Sequence, residues 1–146
     1  MIREMLKRHE GYKLKPYKCP AGKNTIGVGH NFDANPLPKD MQAFLDLHGQ
    51  ITESMAEALL SADIDNAVKD CRKLYPNFNG FSQRRKDALT DFLFNVGIGT
   101  AREFKNTNKY INLEQWDKAA VNMGMSKWFS QVKSRGPEIV QMIREG

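Results

Sequence analysis

The chain has 146 residues, of which 22 are Lys or Arg and 17 are Asp or Glu, so its net charge is +5. This length suits one domain, or two lobes that share a core, and excludes two independent domains of ordinary size. No apolar run approaches the roughly 20 residues of a membrane span, and eight Phe, four Tyr and two Trp exclude a disordered chain.

The N-terminal third predicts one helix and one hairpin. Residues 2–10 place apolar side chains on one stripe at helical spacing, and Gly11 is expected to end this helix in the αL conformation. Residues 12–30 alternate in polarity around a turn rich in Pro and Gly, which predicts a β-hairpin. Residues 31–51 contain Pro36 and Pro38 and are expected to be irregular.

The rest of the chain predicts helices, each marked by a start signal. A cap at Thr52 predicts a helix of about twenty residues that reaches Leu74, and the others begin near Ser82, Asn112 and Gly136. The expected signals are Thr52 as N-cap, Ser82 as N-cap with a stop at Gly97, Asn112 and Gln115 as a capping pair, and Gly136-Pro137 with Pro at the first helical position.

These elements predict an α+β fold. We expect a small β lobe over residues 12–50 and a larger helical lobe over residues 1–11 and 52–146. The long helix at residues 52–74 would join the two lobes.

The positive charge is concentrated at the N-terminus. Residues 1–24 hold seven Lys and Arg but only two Glu, so this segment accounts for the whole net charge. Either this is a solvated surface, or it attracts a polyanion such as a cell wall rich in carboxylates and phosphates. The chain contains no zinc-finger, RNP or basic-zipper pattern, so we do not expect nucleic acid as a partner.

The cysteines and the first residues bear on the compartment. Cys19 and Cys71 are too few for a disulfide framework and are expected to be free thiols, with Cys71 in the core. The first residues lack the apolar stretch of a signal peptide, so we expect cytoplasmic synthesis without membrane insertion. We also expect a monomer with no cofactor and no metal site.

One charged residue lies where apolar side chains are expected. At about 100° per residue, Asp63 falls on the apolar face of its helix, between Ala56 and Ala67. A buried carboxylate needs a partner, and His30 at the end of the second strand could supply it. The alternative is that Asp63 lies on a stretch that solvent wets.

Two other polar residues are unusual for their positions. Glu10 ends its helix, where the helix dipole disfavours a negative charge, although such residues are often ordinary surface groups. Cys19 lies in a polar turn beside Lys18 and near Lys23, whose ammonium groups would lower the thiol pKa. The alternative is an incidental surface thiol.

Two glycines in the predicted hairpin, close in sequence to Cys19, are also unusual for their positions. Gly27 and Gly29 flank Val28 in a predicted strand, where glycine often marks the close approach of a ligand or another backbone. Glu10, Cys19 and Thr25 are separated by eight and five residues, and a folded hairpin could turn all three toward one site. Glycosidic cleavage needs a carboxylic acid and a second polar group on opposite faces of the sugar.

With these residues in the string RHEGYKLKPYKCPAGKNTIGVGH, the chain resembles the bacteriophage lysozyme family. The family signature is Glu, eight residues, Asp or Cys, five residues and Thr, followed by a TIGxGH-like strand. The segments ITESMAEALLSADIDNAV, LFNVGIG and WDKAAVNMGMSKWF are also similar to family segments and occur in the family's order. The resemblance therefore spans nearly the whole chain.

The resemblance implies a lysozyme-like fold with a cleft between the lobes and an endolysin that hydrolyses peptidoglycan between N-acetylmuramic acid and N-acetylglucosamine. It implies host cell lysis, with a separate holin to open the inner membrane. It assigns Glu10 as general acid and Thr25 as holder of the attacking water, while Cys19 occupies a position where other members carry Asp. The remaining implied roles are the inter-lobe ion pair His30–Asp63, pairing of Arg135 with the catalytic glutamate, and saccharide binding by Phe94, Asn95, Asn122 and Lys127.

Two other functions stay open at this stage. Because Cys19 replaces a carboxylate, a lytic transglycosylase could use Glu10 alone for both proton transfers. A non-catalytic protein that binds the cell wall is the other alternative, and the intact spacing of Glu10 and Thr25 argues against it.

Overall fold

The computed structural model describes all 146 residues, and its internal contacts divide the chain into two compact units. Unit 1 comprises Met1 and Arg3–Ile64, and unit 2 comprises Ile2 and Asp65–Gly146. Helices predominate and one small antiparallel sheet accompanies them, so the predicted α+β class is confirmed. None of the helices combines the length and the apolar character that crossing a membrane requires.

Unit 1 begins with the predicted helix and hairpin, and both are confirmed. Helix α1 covers Ile2–Glu10, strand β1 covers Lys13–Lys18, β2 covers Asn24–Gly27 and β3 covers His30–Asn31. Gly11 ends α1 with a φ of +82°, but its ψ of 174° is extended and is not the predicted αL value.

The three strands form an antiparallel sheet in the order β1-β2-β3. Tyr17 pairs with Thr25, and Lys18 with Asn24. The register is irregular between Lys13 and Tyr17, the stretch that contains Pro16. Proline has no N–H for the ladder, so a bulge on this edge strand is where it is tolerated.

The prediction of an irregular segment at 31–51 was wrong, because residues Lys39–His48 form helix α2. The prolines precede this helix, with Pro38 at the N-cap, and so do not interrupt it. Met41 and Leu45 lie one turn apart and bury one face. This face joins the core of unit 1, which consists of Ile26, Leu37, Met41, Leu45, Ile51, Ala56 and Leu59.

The long helix α3 covers Glu53–Leu74, as predicted. The Thr52 hydroxyl accepts a hydrogen bond from the backbone N–H of Met55 at 3.1 Å, which confirms the N-cap. The boundary between the two units falls within α3, after Ile64.

Unit 2 continues with a 3-10 turn at Phe78–Gly80 and helix α4 at Gln83–Ala101. The Ser82 cap is confirmed by a hydrogen bond from the Arg85 N–H to its hydroxyl. Gly97 has a φ of 77° and a ψ of 159°, which are not helical, so the regular helix is interrupted at Gly97 as predicted, and a second helical segment follows to Ala101.

Four more helices complete unit 2: α5 (Lys105–Asn112), α6 (Trp116–Gly124), α7 (Lys127–Gln131) and α8 (Arg135–Glu145). The predicted Asn112–Gln115 capping pair was wrong, because the Gln115 side chain makes no cap and the Asn112 amide donates to the Leu74 carbonyl. Pro137 is the third residue of α8 and not the first.

Cys71 lies in the interior, as predicted. It is fully buried, and burial raises the pKa of its thiol to about 12. A thiol in this environment is protonated and unreactive.

Candidate active site

Helix α1 delivers the Glu10 side chain to a glycine in the turn between β2 and β3. A Cβ built on Gly29 would lie 2.9 Å from the Cδ of Glu10 and 3.0 Å from its Cβ and Cγ. Gly29 also has a φ of +62°, in the left-handed region. Only glycine fits here, because any side chain would push Glu10 away and strain the backbone.

Gly27, at the end of β2, packs against helix α3. A Cβ on Gly27 would lie 3.7 Å from the Cβ of Ala56 in α3, which is ordinary contact. A close approach is therefore present at Gly29 alone. The approaching group there is the Glu10 side chain, whereas a ligand or another backbone was predicted.

The turn after β1 forms a small anion-stabilising site around Cys19. The backbone N–H of Lys23 lowers the pKa of the Cys19 thiol most, and the N–H groups of Ala21 and Cys19 and the Thr25 hydroxyl act in the same direction, against partial desolvation. The turn is closed by hydrogen bonds from Gly22 N–H to Cys19 O at 2.8 Å and from Cys19 N–H to Lys23 O at 3.0 Å. Successive N–H groups of this kind form a nest for negative charge.

The expected direction of the Cys19 shift is thus present, but its cause differs from the sequence-based one. We expected the ammonium groups of Lys18 and Lys23 to act on the thiol. Hydrogen bonds from the turn backbone act instead, because both lysine side chains are exposed and water screens their charge.

Thr25 lies beside the thiol and is almost wholly buried, with 3% of its surface exposed. Its hydroxyl lies 2.9 Å from the Lys23 carbonyl oxygen, to which it donates. A hydroxyl has one proton and two lone pairs. When the proton goes to Lys23, the lone pairs of Thr25 are left to accept from a neighbouring group; when the hydroxyl turns to the thiol, the same proton stabilises the Cys19 thiolate instead.

Tyr17 is the residue of this region that the sequence analysis missed. Burial raises the pKa of Tyr17, and the negative charges of Glu10 and Cys19 raise it further. Tyr17 is also the cross-strand partner of Thr25, so it belongs to the same part of unit 1 as Thr25 and Cys19. No residue type marked Tyr17 in advance, because its place opposite Thr25 depends on the strand register.

The predicted contact between His30 and Asp63 is present. The Nδ1 of His30 lies 2.7 Å from Oδ2 of Asp63, and its Nε2 lies 2.8 Å from the Asn35 carbonyl oxygen. Burial opposes the charge, but Asp63 and the Asn35 carbonyl outweigh it and raise the pKa of His30. With an acceptor at each ring nitrogen, the imidazolium form satisfies both hydrogen bonds.

Arg135 begins helix α8 in unit 2 and is buried. Its Nε donates to Oδ1 of Asp91 at 2.7 Å, and Asp91 is completely buried in α4. Asp91 was also missed, although it lies among apolar residues of its helix just as Asp63 does. Support of the catalytic glutamate by Arg135 stays a prediction.

The four residues that we expected to bind saccharide all lie in unit 2, and their surroundings differ. The Asn95 side chain accepts a hydrogen bond from the indole N–H of Trp128 at 2.8 Å, and Lys127 precedes that Trp as an exposed residue. Phe94 is half-buried in α4. Asn122 accepts a hydrogen bond from Thr107 and lines an open cavity of about 360 Å³.

No three His, Cys, Asp or Glu side chains converge as a metal site would require. The side chains that unit 1 brings to this region are a carboxyl group, a thiol with a lowered pKa and a buried hydroxyl. These groups suit proton transfer and the stabilisation of a developing positive charge.

Comparison with known proteins identifies the family. Residues 7–142 match the phage lysozyme family. The chain is 28% identical to probable T4-type lysozyme 2 of Dictyostelium discoideum, with 99% of this chain and 94% of that protein aligned. It is 31% identical to the endolysin of Salmonella phage P22, with 79% and 73% aligned. The chain therefore belongs to the phage lysozyme family and is a glycosidase-type enzyme of cell-wall degradation.

Proposed function

We propose that this protein is a muramidase that hydrolyses the β-1,4 bond between N-acetylmuramic acid and N-acetylglucosamine in peptidoglycan. The observation that carries the proposal is the placement of three groups around strand β2: Glu10 packs against Gly29 just after the strand, and Cys19 lies beside Thr25 at its start. A phage endolysin among the relatives favours a role in host cell lysis. In that role a separate holin would open the inner membrane.

The reaction begins with Glu10 as general acid. The carboxyl proton passes to the leaving glycosidic oxygen as the bond from that oxygen to the anomeric carbon breaks. Gly29 supports this role, because it leaves no space between the backbone and the Glu10 side chain and so limits where the carboxyl group can lie. The broken bond leaves an oxocarbenium-like centre.

Cys19 and Thr25 act on the opposite face of the sugar. The Cys19 thiolate stabilises the positive centre and takes one proton from the attacking water. The Thr25 hydroxyl accepts a hydrogen bond from the water's other hydrogen, which stays on the new hydroxyl group of the sugar. The water oxygen forms the new bond to the anomeric carbon, which inverts its configuration. The backbone nest at Cys19 supports this role, since it stabilises the thiolate as a carboxylate would otherwise be stabilised.

Residues outside the reacting groups complete the proposal. His30 and Asp63 fix the end of the sheet to α3, and Arg135 supports the site. Phe94, Asn95, Asn122 and Lys127 bind saccharide.

The test is Glu10→Gln on purified peptidoglycan, with Glu4→Gln as the matched control. Both glutamates lie on α1, and Glu4 is exposed and paired with the N-terminal amine. We expect Glu10→Gln to lose at least about 100-fold in rate, the scale of one general acid, and Glu4→Gln to retain the wild-type rate. A Glu10→Gln variant that cleaves at the wild-type rate would refute the proposal.

Analysis of the wild-type products separates the rival functions. Hydrolysis gives new reducing ends, as the proposal requires. Ends with a 1,6-anhydro ring would establish a transglycosylase in which the sugar closes on itself, and no new ends would establish a wall-binding protein. Either of these results overturns the muramidase assignment.

A further inference from the structure

The Tyr17 ring is held in place, and its hydroxyl is left open to solvent. The Lys13 ammonium lies 4.6 Å from the ring centroid, so a cation covers one face of the ring. The hydroxyl makes no hydrogen bond within the protein, and no buried polar atom lacks a partner. The hydroxyl is therefore reached by solvent, and it is the end of Tyr17 available to a ligand.

The strand register places Tyr17 on the face of the sheet that carries Thr25. The irregular register between Lys13 and Tyr17 comes just before Tyr17 on an edge strand, and bulges at such places re-aim side chains next to active sites. Tyr17 is the cross-strand partner of Thr25, so their side chains share one face of the sheet.

We infer that Tyr17 is a positioning residue of this site, whose hydroxyl donates a hydrogen bond to the attacking water held by Cys19 and Thr25. This inference rests on the proposed function. A water molecule has two hydrogens and two lone pairs in a tetrahedral arrangement. It donates one hydrogen bond to the Cys19 thiolate and one to the Thr25 oxygen, and one of its lone pairs accepts a hydrogen bond from the Tyr17 hydroxyl.

The fourth direction is then the only one left for attack. With three directions fixed, the remaining lone pair points one way, toward the anomeric carbon. Orienting a nucleophile in this manner raises the rate of the chemical step and leaves substrate binding unchanged. Burial raises the pKa of Tyr17 above its usual range, and nearby negative charge acts in the same direction, so the phenol keeps its proton and remains a donor.

The test is Tyr17→Phe, which keeps the ring and its contact with Lys13 and removes only the hydroxyl. Steady-state rates on soluble peptidoglycan fragments should show kcat lowered by about 10- to 100-fold, the effect of losing one orienting contact. KM should stay within about twofold, because groups that act only in the transition state leave KM unchanged. The melting temperature should not change, since the hydroxyl has no protein partner.

Tyr12→Phe is the matched control. Tyr12 is also half-buried and lies under a lysine, with the Lys7 ammonium 5.3 Å from its ring centroid. The carboxylates that raise the pKa of Tyr12 are Glu57 and Glu53, and not Glu10. Tyr12→Phe should therefore keep the wild-type kcat.

The outcomes distinguish this inference from the function on which it rests. A Tyr17→Phe variant with unchanged kcat, with a raised KM alone, or with a melting temperature lowered enough to explain its lost activity would overturn the role of Tyr17. If Glu10→Gln is inactive in the same assay, the muramidase proposal stands in each of these cases. If Glu10→Gln is fully active, the proposed function itself fails.

Discussion

Gly29→Ala should disable the enzyme by moving Glu10. The added Cβ would lie 2.9 Å from Cδ and 3.0 Å from Cβ and Cγ of Glu10. Carbon atoms in contact prefer about 3.5–4.0 Å, so the Glu10 side chain must shift by roughly 0.5–1 Å. A misplacement of about 1 Å at a reacting group costs on the order of 100-fold in rate. We expect kcat to fall by that factor.

The same substitution should also cost stability. Gly29 has a φ of +62°, and a residue with a side chain pays about 1–2 kcal/mol in the left-handed region. Gly49→Ala separates the two effects, since Gly49 has a φ of +74° and a Cβ there would have no atom within 4 Å. Gly49→Ala should lose similar stability and keep full activity per folded molecule.

The assay is the initial release of reducing ends from purified peptidoglycan, normalised to the folded fraction measured by circular dichroism at the same temperature. If Gly29→Ala stays within twofold of the wild-type rate, the contact does not position the acid, and the reasoning from Gly29 to Glu10 is wrong. If Gly49→Ala loses as much activity as Gly29→Ala, backbone strain and not the contact is responsible.

Three further predictions follow from the charges. Asp63→Asn and His30→Asn should each lower the free energy of unfolding by about 3 kcal/mol. This value is at the low end for buried pairs because Asp63 keeps 20% of its side chain exposed. The double variant should lose less than the sum of the two single losses. Because the pKa of His30 is raised in the folded protein, this stabilisation is complete below about pH 6.5 and is lost as the pH rises through that raised pKa. Raising the salt concentration should slow cleavage of whole walls more than of short soluble oligosaccharides, because salt screens the positive charge of residues 1–24. Cys19→Ala should lose about one to four powers of ten in rate, whereas Cys19→Asp should stay active and work at lower pH. Iodoacetamide should inactivate the wild type without modifying buried Cys71.

Each of these has a result that would contradict it. Strictly additive losses of unfolding free energy in the His30 and Asp63 cycle would mean that the contact carries no energy. Equal salt sensitivity on walls and oligosaccharides would argue against electrostatic attraction. A Cys19→Ala variant as fast as the wild type would make the thiol a bystander.

Local sequence patterns were enough to predict the helices and the hairpin that are marked by an apolar stripe, a capping side chain or turn residues. Helix α1 follows from an apolar stripe, the starts of α3 and α4 follow from the caps at Thr52 and Ser82, and the hairpin follows from its turn residues. The His30–Asp63 contact could be predicted because a carboxylate on an apolar face requires a partner.

Other features depend on geometry that residue types do not encode. Pro36 and Pro38 suggested a loop, yet a proline before a helix permits it, and only the packing of Met41 and Leu45 into the core decides in favour of α2. The position of Tyr17 opposite Thr25 depends on a bulge in the register. A one-residue change of register would have placed it on the other face.

The resemblance implies Asp in other family members where this chain has Cys19, and the turn around Cys19 indicates how a thiol could serve in its place. A thiol is a weaker acid than a carboxyl group by several pKa units, so an unassisted Cys19 would be mostly protonated near neutral pH. The turn supplies the missing stabilisation through N–H groups of Lys23, Ala21 and Cys19 itself, and these donors do not depend on the side chains they belong to. The same donors would stabilise a carboxylate at this position. The proposed chemistry therefore depends on the conformation of the turn backbone. It does not require one particular residue type at position 19.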